Sequence, residues 1–238
     1  MRSKHTWLWI VTSAALIVAG FLILRASLRP CAWLDRARGR SGCLGTVEEL
    51  DGSVAGVAVS PDGSLIAASS HSGEVRLWLA DDRSLVHTLT PSIVARGVAH
   101  TYDVAFAPDG SRLALGQPDG SVQLWRLPDG EPIQRLEGAD GAVLSLTFSP
   151  DGQSMVAGTD GGAVHVWPLS DGAPAHEMIH HKDSVVSVAL SPDGTTLASA
   201  SLDGTITLWR MADGAIPSAT ELSPVPTGVA FSPDGTLL

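Results

Sequence analysis

The sequence predicts an all-β fold of repeated four-stranded antiparallel units that follows one N-terminal transmembrane helix. Three observations lead to this prediction: a Pro-Asp-Gly tripeptide that recurs along the chain, a tryptophan that recurs in phase with it, and one uncharged apolar segment near the N-terminus. The composition agrees, because 44% of the 238 residues are hydrophobic and only 17% are charged, which excludes a disordered polyelectrolyte. The 25 glycines and 15 prolines indicate many tight turns rather than long helices.

The apolar segment spans residues 7–24, after a short tail of residues 1–6, and contains no charged residue. As a helix it would be about 27 Å long, close to the thickness of the hydrocarbon core of a bilayer. Arg2 and Arg25 are among the basic residues that flank it. We therefore expect an uncleaved membrane anchor. A cleaved secretory signal is the alternative, although its apolar region would be shorter and a small-residue cleavage site would follow.

A basic linker, residues 25–43, joins the anchor to the rest of the chain. Two Lys or Arg residues precede the apolar segment and five follow it in residues 25–40, so the positive-inside rule favours a cytoplasmic C-terminal body. Cys31 and Cys43 favour the other side, since a disulfide between them would need an oxidising compartment, and two free thiols are the alternative.

Charge divides the chain into two parts. Residues 1–40 carry a net charge of +6, which leaves −16 for the rest of a chain whose total is −10. Because affinity for nucleic acid comes mainly from cationic neutralisation of phosphates, so acidic a body is not expected to bind nucleic acid.

The repeated unit is about 42 residues long. The Pro-Asp-Gly tripeptides that follow the β-branched runs and keep the repeat spacing begin at Pro61, Pro108, Pro150, Pro192 and Pro233. A tryptophan follows each of the first four tripeptides: Trp78, Trp125, Trp167 and Trp209. Two markers that stay in phase over four periods identify an internal repeat.

Each unit has the pattern of four antiparallel strands. A β-branched run precedes Pro-Asp-Gly, at residues 54–60, 101–107, 143–149, 185–191 and 227–232. Its apolar residues on both faces indicate a strand that is covered on both sides. A tight turn, a second strand, a second turn, a third strand that ends at the tryptophan and a more polar fourth strand follow. One such unit cannot bury two apolar faces alone, whereas units repeated around an axis can.

The segment 191–209, SPDGTTLASASLDGTITLW, resembles the blade signature of the WD-repeat β-propeller family, and the resemblance extends over residues 44–238. It implies an arc of four propeller blades and the start of a fifth. It also implies a structural hydrogen-bond tetrad in the fourth unit, formed by His181, Ser199, Asp203 and Trp209. The other units depart from this pattern. Their histidine position holds Leu50, Gly97 and Ala139, and Ser72 and Gly161 replace the turn acid.

The sequence ends at Leu238, inside the second predicted strand of a fifth unit. Half a blade would leave an open sheet edge. We therefore expect a longer protein, with the six to eight blades that the resemblance implies and with residues 42–47 as the outer strand that starts the ring.

One motif suggests metal chemistry. Residues 176–180 read H-E-x-x-H, a pattern that binds zinc when both histidines lie on one helical face. The repeat places this segment in a fourth strand and its loop, where residues four apart are about 13 Å apart, too far to share one zinc ion. The Asp-Gly pairs lie singly at predicted turns rather than in the series of oxygen ligands that calcium requires. We therefore expect no metal, no cofactor and no catalytic residue.

The favoured hypothesis is a membrane-anchored scaffold whose propeller face binds a protein or peptide. The residues before the second turn of each unit mark the face that the resemblance implies: His71, Pro118, Asp160 and Leu202. Two alternatives stay open. The chain could be the accessory propeller of a larger signalling enzyme such as a kinase, or a ligand-sensing or hydrolytic propeller with a channel site. The last would use polar groups at the starts of first strands, where the sequence offers Asp103 and Asp183.

Overall fold

The computed structural model describes residues 50, 53–91, 103–170 and 176–238, and these contain sixteen β-strands and no helix. The first sheet consists of β1 (Val54–Val59), β2 (Leu65–Ser70), β3 (Val75–Leu79) and β4 (Leu85–Leu89). The second consists of β5 (Val104–Phe106), β6 (Arg112–Gly116), β7 (Val122–Arg126) and β8 (Glu131–Leu136). The third consists of β9 (Val143–Phe148), β10 (Ser154–Thr159), β11 (Ala163–Pro168) and β12 (His176–Ile179). The fourth consists of β13 (Val185–Leu190), β14 (Thr196–Ser201), β15 (Thr205–Arg210) and β16 (Ser218–Glu221).

Consecutive strands pair antiparallel within every sheet, so each sheet is a four-stranded meander, called a blade below and numbered 1 to 4 in chain order. This confirms the predicted all-β fold of four-stranded antiparallel units. The H-E-x-x-H segment begins in β12, an extended strand rather than a helix.

The Pro-Asp-Gly turns join the first two strands of each blade. In blade 4, the Asp193 carboxylate accepts a hydrogen bond from the Thr195 backbone N–H at 3.0 Å, and Gly194 has a φ of 71°. This is the left-handed region, in which glycine avoids the steric cost that a side chain incurs. The turn therefore needs both residue types in this order.

Among the described residues, the hydrophobic clusters lie between neighbouring blades. One cluster joins Leu77 of blade 1 to Trp125 of blade 2, and two others place Trp167 against blade 2 and Trp209 against blade 3. Trp78, Trp125, Trp167 and Trp209 are at most 4% exposed. Because each blade buries its apolar faces against its neighbours, the blades stabilise one another.

Two glycines permit the closest approach between blades. A Cβ atom at Gly116 would lie 2.4 Å from Val143 Cγ1, and one at Gly158 would lie 2.5 Å from Val185 Cγ1. Each glycine lies on the second strand of one blade, and each valine begins the first strand of the next. The first strands β1, β5, β9 and β13 contact one another in chain order.

One predicted strand is absent. Residues 227–232 form no strand, although the following Pro-Asp-Gly turn forms, with the Ser232 N–H donating to the Leu237 carbonyl oxygen at 2.9 Å. The Val229 N–H donates instead to the Ser187 hydroxyl at 3.1 Å. The prediction was wrong because a strand needs a hydrogen-bonded neighbour along its length, and none of the described strands pairs with residues 227–232.

Candidate functional site

The four residues of the implied tetrad meet in blade 4. The Trp209 indole N–H donates to Ser199 Oγ at 2.8 Å, and Ser199 Oγ lies 2.7 Å from His181 Nε2. On the other side of the ring, His181 Nδ1 lies 2.9 Å from Thr205 Oγ1 and 3.3 Å from Asp203 Oδ2. A proton on Nδ1 satisfies every member, because Ser199 then donates to Nε2 while it accepts from the indole.

The electrostatics of the tetrad favour a neutral histidine beside an ionised carboxylate. Burial lowers the pKa of His181 despite the neighbouring Asp203. Desolvation opposes ionisation of Asp203, but hydrogen bonds from Thr205 and from the Lys182 backbone outweigh it and hold the pKa of that carboxyl well below its usual range. All polar groups of the tetrad are used internally, so the tetrad connects the strands of the blade and offers no reactive group.

Blade 3 contains a different polar cluster at the same place. Ala139 and Gly161 replace the histidine and the turn acid, but Asp140 Oδ1 accepts from Thr159 Oγ1 at 2.9 Å and lies 3.0 Å from His165 Nε2. The acid is thus on the loop and the histidine on β11, the reverse of blade 4. The sequence analysis missed this cluster, for which the signal was a histidine two residues before Trp167 and an acid one residue after Ala139.

Trp167 also has a different partner from Trp209. Its indole N–H donates to the Glu137 carbonyl oxygen at 2.8 Å, because alanine stands at residue 157 where blade 4 has Ser199. In blade 1, Ser70 Oγ and Ser72 Oγ lie 2.6 Å apart at the second turn. Blades 1, 3 and 4 therefore differ in the polar contacts at this end, and residue 97, the histidine position of blade 2, lies outside the described residues.

The residues that mark the implied partner face all lie at one end of the blades, in the second turn after β2, β6, β10 and β14. Three of them are tied to their own blade by equivalent backbone hydrogen bonds. His71 donates to the Ser53 carbonyl oxygen, Asp160 to that of Ala142 and Leu202 to that of Ser184, at 2.9 to 3.0 Å. The fourth, Pro118, has no N–H to donate.

A pocket of about 300 Å³ opens beside this end of blade 4. Its lining includes Lys182, Glu221 and the tetrad residue Asp203. Leu202, which precedes Asp203 in the chain, is 46% exposed. The end of the blades thus combines an exposed apolar side chain with charges of both signs.

Polar side chains also link the first strands of neighbouring blades. Asp103 Oδ2 accepts from the Leu146 N–H at 2.9 Å, Ser145 Oγ from the Val188 N–H at 3.2 Å, and Ser187 Oγ from the Val229 N–H at 3.1 Å. These three acceptors, called the first-strand series below, are Asp103, Ser145 and Ser187, each five residues before its Pro-Asp-Gly tripeptide.

The two acids considered for a channel site have local partners. Desolvation raises the pKa of Asp103 to about 6, against hydrogen bonds from Leu146, Val104 and Ser145 that favour its ionised form. Asp183 Oδ1 accepts from the Ser184 N–H at 2.7 Å. Both carboxylates therefore bond to the backbone near them.

Several predicted features lie outside the described residues: the tail 1–6, the anchor 7–24, the linker 25–43, Cys31, Cys43 and the strand 42–47. Among residues 50, 53–91, 103–170 and 176–238, no helix is long and apolar enough to cross a membrane.

Comparison with known families identifies the repeat. The protein family described as "WD domain, G-beta repeat" matches residues 41–78, 84–126, 130–168 and 172–210, about two thirds of the chain. The chain belongs to the WD-repeat family. No curated protein sequence matches the chain.

The second, third and fourth matched WD repeats each span two blades. The second, 84–126, begins with the outer strand β4 of blade 1 and ends with β7 of blade 2, and the third and fourth are offset in the same way. Every match ends within one residue of a blade tryptophan. The second, third and fourth sequence repeats therefore each join two neighbouring blades covalently. WD repeats generally act as scaffolds for protein–protein interaction and are typically not catalytic.

Proposed function

We propose that this WD-repeat chain is a membrane-anchored scaffold that binds a protein or peptide at the end of the blades marked by His71, Pro118, Asp160 and Leu202, without catalysis of its own. The observation that carries the proposal is the equivalent backbone hydrogen bond that holds three of these residues to their blades. Residues fixed before binding lose little conformational freedom when a partner arrives, which favours affinity.

The chemistry of this end supports a partner with basic and apolar groups. Residues 41–238 carry a net charge of −16, and Asp160 is exposed at the proposed face. Leu202, 46% exposed, offers an apolar contact at the same second turn as Asp203, which lines the pocket together with Glu221. A positively charged peptide with one apolar side chain complements this arrangement, and its association rate is expected to fall as salt increases.

The sequence supports attachment to a membrane through residues 7–24. The segment has 18 uncharged residues flanked by basic ones, and the five Lys or Arg residues in 25–40 favour a cytoplasmic location for the blades. Attachment would confine the partner-binding face to the zone close to the bilayer.

A matched pair of substitutions tests the face. Leu202→Glu changes the proposed face, whereas Leu85→Glu introduces the same group at an equally exposed leucine, also 46%, on the outer strand β4. The measurement is partner capture by the full chain from membrane extracts, with cross-linking and identification of the captured proteins. We expect Leu202→Glu to abolish capture of a specific partner and Leu85→Glu to retain it. If both variants captured the same partner equally well, the assignment of the partner-binding face would be refuted.

Membrane attachment needs a separate test. Deletion of residues 7–24 should move the protein from the carbonate-resistant membrane fraction to the supernatant, while protease treatment of intact cells should leave the blades uncleaved. Cleavage in intact cells would refute the cytoplasmic location, and unchanged fractionation of the deletion variant would refute the anchor.

A further inference from the structure

We propose that Asp140, His165 and Glu177 of blade 3 form a binding site for a divalent transition-metal ion of the zinc type. The site lies on the loop before β9 and on the neighbouring strands β11 and β12, and it uses none of the residues of the proposed partner face.

The three side chains converge from different parts of the chain. One ring nitrogen of His165 and one carboxylate oxygen each from Asp140 and Glu177 lie within 4.8 Å of one another. His165 and Glu177 are direct cross-strand partners of β11 and β12, so their side chains share one face of the sheet. The distance of 3.0 Å between His165 Nε2 and Asp140 Oδ1 already suits two neighbouring ligands, since ligand atoms at about 2.1 Å from one metal lie about 3.0 to 3.4 Å apart.

The histidine is held rigidly, which favours a defined site. His165 is 1% exposed, and its ring stacks on Trp167 with centroids 5.8 Å apart. Asp140 is its one hydrogen-bond partner among the described residues, and its Nδ1 is buried without a partner. Blade 4 satisfies both ring nitrogens of His181, whereas Asp140 alone holds the ring of His165, through the nitrogen that would bind the metal.

A neighbouring glycine leaves room for the Asp140 carboxylate. A Cβ atom at Gly161 would lie 2.4 Å from Asp140 Oδ2, so the missing side chain at the turn-acid position makes space for this carboxylate. In blade 4 the cross-strand pair that corresponds to His165 and Glu177 is Thr207 and Ala219, which cannot ligate a metal in this way. The ligand set therefore has no counterpart in blade 4.

The donor atoms select the class of metal. One imidazole nitrogen with two carboxylate oxygens suits Zn²⁺ and neighbouring first-row divalent ions, whereas Ca²⁺ and Mg²⁺ prefer oxygen ligands alone and Cu⁺ prefers sulfur. Three protein ligands leave at least one coordination position for water. This use of Glu177 differs from the H-E-x-x-H pattern, because His176 is its immediate neighbour on an extended strand and points to the opposite face.

Binding requires two small changes. Glu177 is exposed and must move toward the other ligands by about 1 Å, which a surface side chain can do. The proton of His165 must lie on Nδ1 so that Nε2 can bind the metal, and Nδ1 then has no acceptor. Because loss of such an outer hydrogen bond weakens metal affinity about 10- to 100-fold, we expect a dissociation constant for Zn²⁺ near the micromolar range.

The test is a calorimetric titration of the full chain, kept in detergent micelles, with Zn²⁺ alone, and a parallel titration with Co²⁺ followed by visible absorption. We expect one equivalent of Zn²⁺ and a Co²⁺ spectrum with an imidazole ligand. Glu177→Gln should weaken binding at least about tenfold without altering the circular dichroism spectrum, since removal of an exposed carboxylate costs the fold little. The control His176→Asn removes the adjacent exposed histidine and should leave binding unchanged.

A third variant distinguishes Zn²⁺ binding at this site from unspecific binding to acidic groups of the surface. Gly161→Ala should displace the Asp140 carboxylate and weaken Zn²⁺ binding while the blades remain folded, because the φ of Gly161 suits alanine. The proposal is overturned by no binding of Zn²⁺ at about 100 μM, a concentration far above the expected constant. It is also overturned if Glu177→Gln has no more effect than His176→Asn, or if Ca²⁺ binds as tightly as Zn²⁺.

Discussion

Ser199→Ala would remove the oxygen atom that joins Trp209 to His181 in blade 4. Ser199 Oγ accepts from the indole N–H at 2.8 Å and bonds to His181 Nε2 at 2.7 Å. Both side chains are buried, Trp209 at 2% and His181 at 6% exposure, so water cannot replace the hydroxyl without displacing packed groups. The variant would therefore leave two buried polar groups unpaired.

The expected loss follows from those two groups. Each unpaired buried donor or acceptor costs about 1 to 3 kcal/mol, and the space left by one oxygen atom adds little, so we expect Ser199→Ala to lower the free energy of unfolding of the blade by about 2 to 6 kcal/mol. The control is Thr207→Val on the adjacent strand. Thr207 Oγ1 is buried without a partner, so its replacement by a methyl group should be neutral or stabilising.

Urea denaturation of the full chain in micelles, followed by tryptophan fluorescence, measures both variants. Native-state hydrogen exchange of the Trp209 indole N–H provides a local readout, because repeat proteins need not unfold in a single step. A loss below about 0.5 kcal/mol for Ser199→Ala, or an equal loss for Thr207→Val, would refute the reasoning, since unpaired buried groups would then carry no specific cost.

Two further variants test the contacts between blades. Gly116→Ala should destabilise the chain by about 1 to 3 kcal/mol, because the added methyl group overpacks against Val143. In a urea titration, the double variant with Val143→Ala should regain most of the lost stability. If it does not, the inferred contact between Gly116 and Val143 is contradicted. Asp103→Ser should flatten the pH dependence of the melting temperature. Because burial raises the pKa of Asp103 to about 6, above its ordinary 3.8, the parent chain should lose stability as pH rises from 4 to 6, and the serine variant should not; identical curves would contradict this.

Much of the fold was predictable because each strand boundary depends on local chemistry. A Pro-Asp-Gly turn joins the first two strands of every blade, and the third strand ends one residue after the tryptophan in all four. The exception, residues 227–232, has the local pattern of a strand but no hydrogen-bonded neighbour, and pairing is a property of two segments.

The polar sites were less predictable, for a reason that blade 3 illustrates. Alignment to blade 4 indicated a lost tetrad because Ala139 and Gly161 stand at its positions. The structure instead has Asp140 and His165 in contact, with the acid and the histidine exchanged between loop and strand. A residue-by-residue alignment of blade 3 with blade 4 does not reveal this exchange. The alignment compares equivalent positions, whereas the contact between Asp140 and His165 depends on how far the two side chains reach across the sheet.

The first-strand series has a consequence for how the molecule responds to local opening. Asp103, Ser145 and Ser187 connect blades 2 and 3, blades 3 and 4, and blade 4 and the segment after it, whereas the corresponding residue of blade 1 is Gly56, which has no side chain to accept a bond. Cooperativity is therefore unequal along the arc. Opening of blade 1 breaks no bond of the first-strand series, whereas opening of blade 2, 3 or 4 breaks at least one. We therefore expect the amides of β1 to exchange with solvent faster than those of β9 and β13.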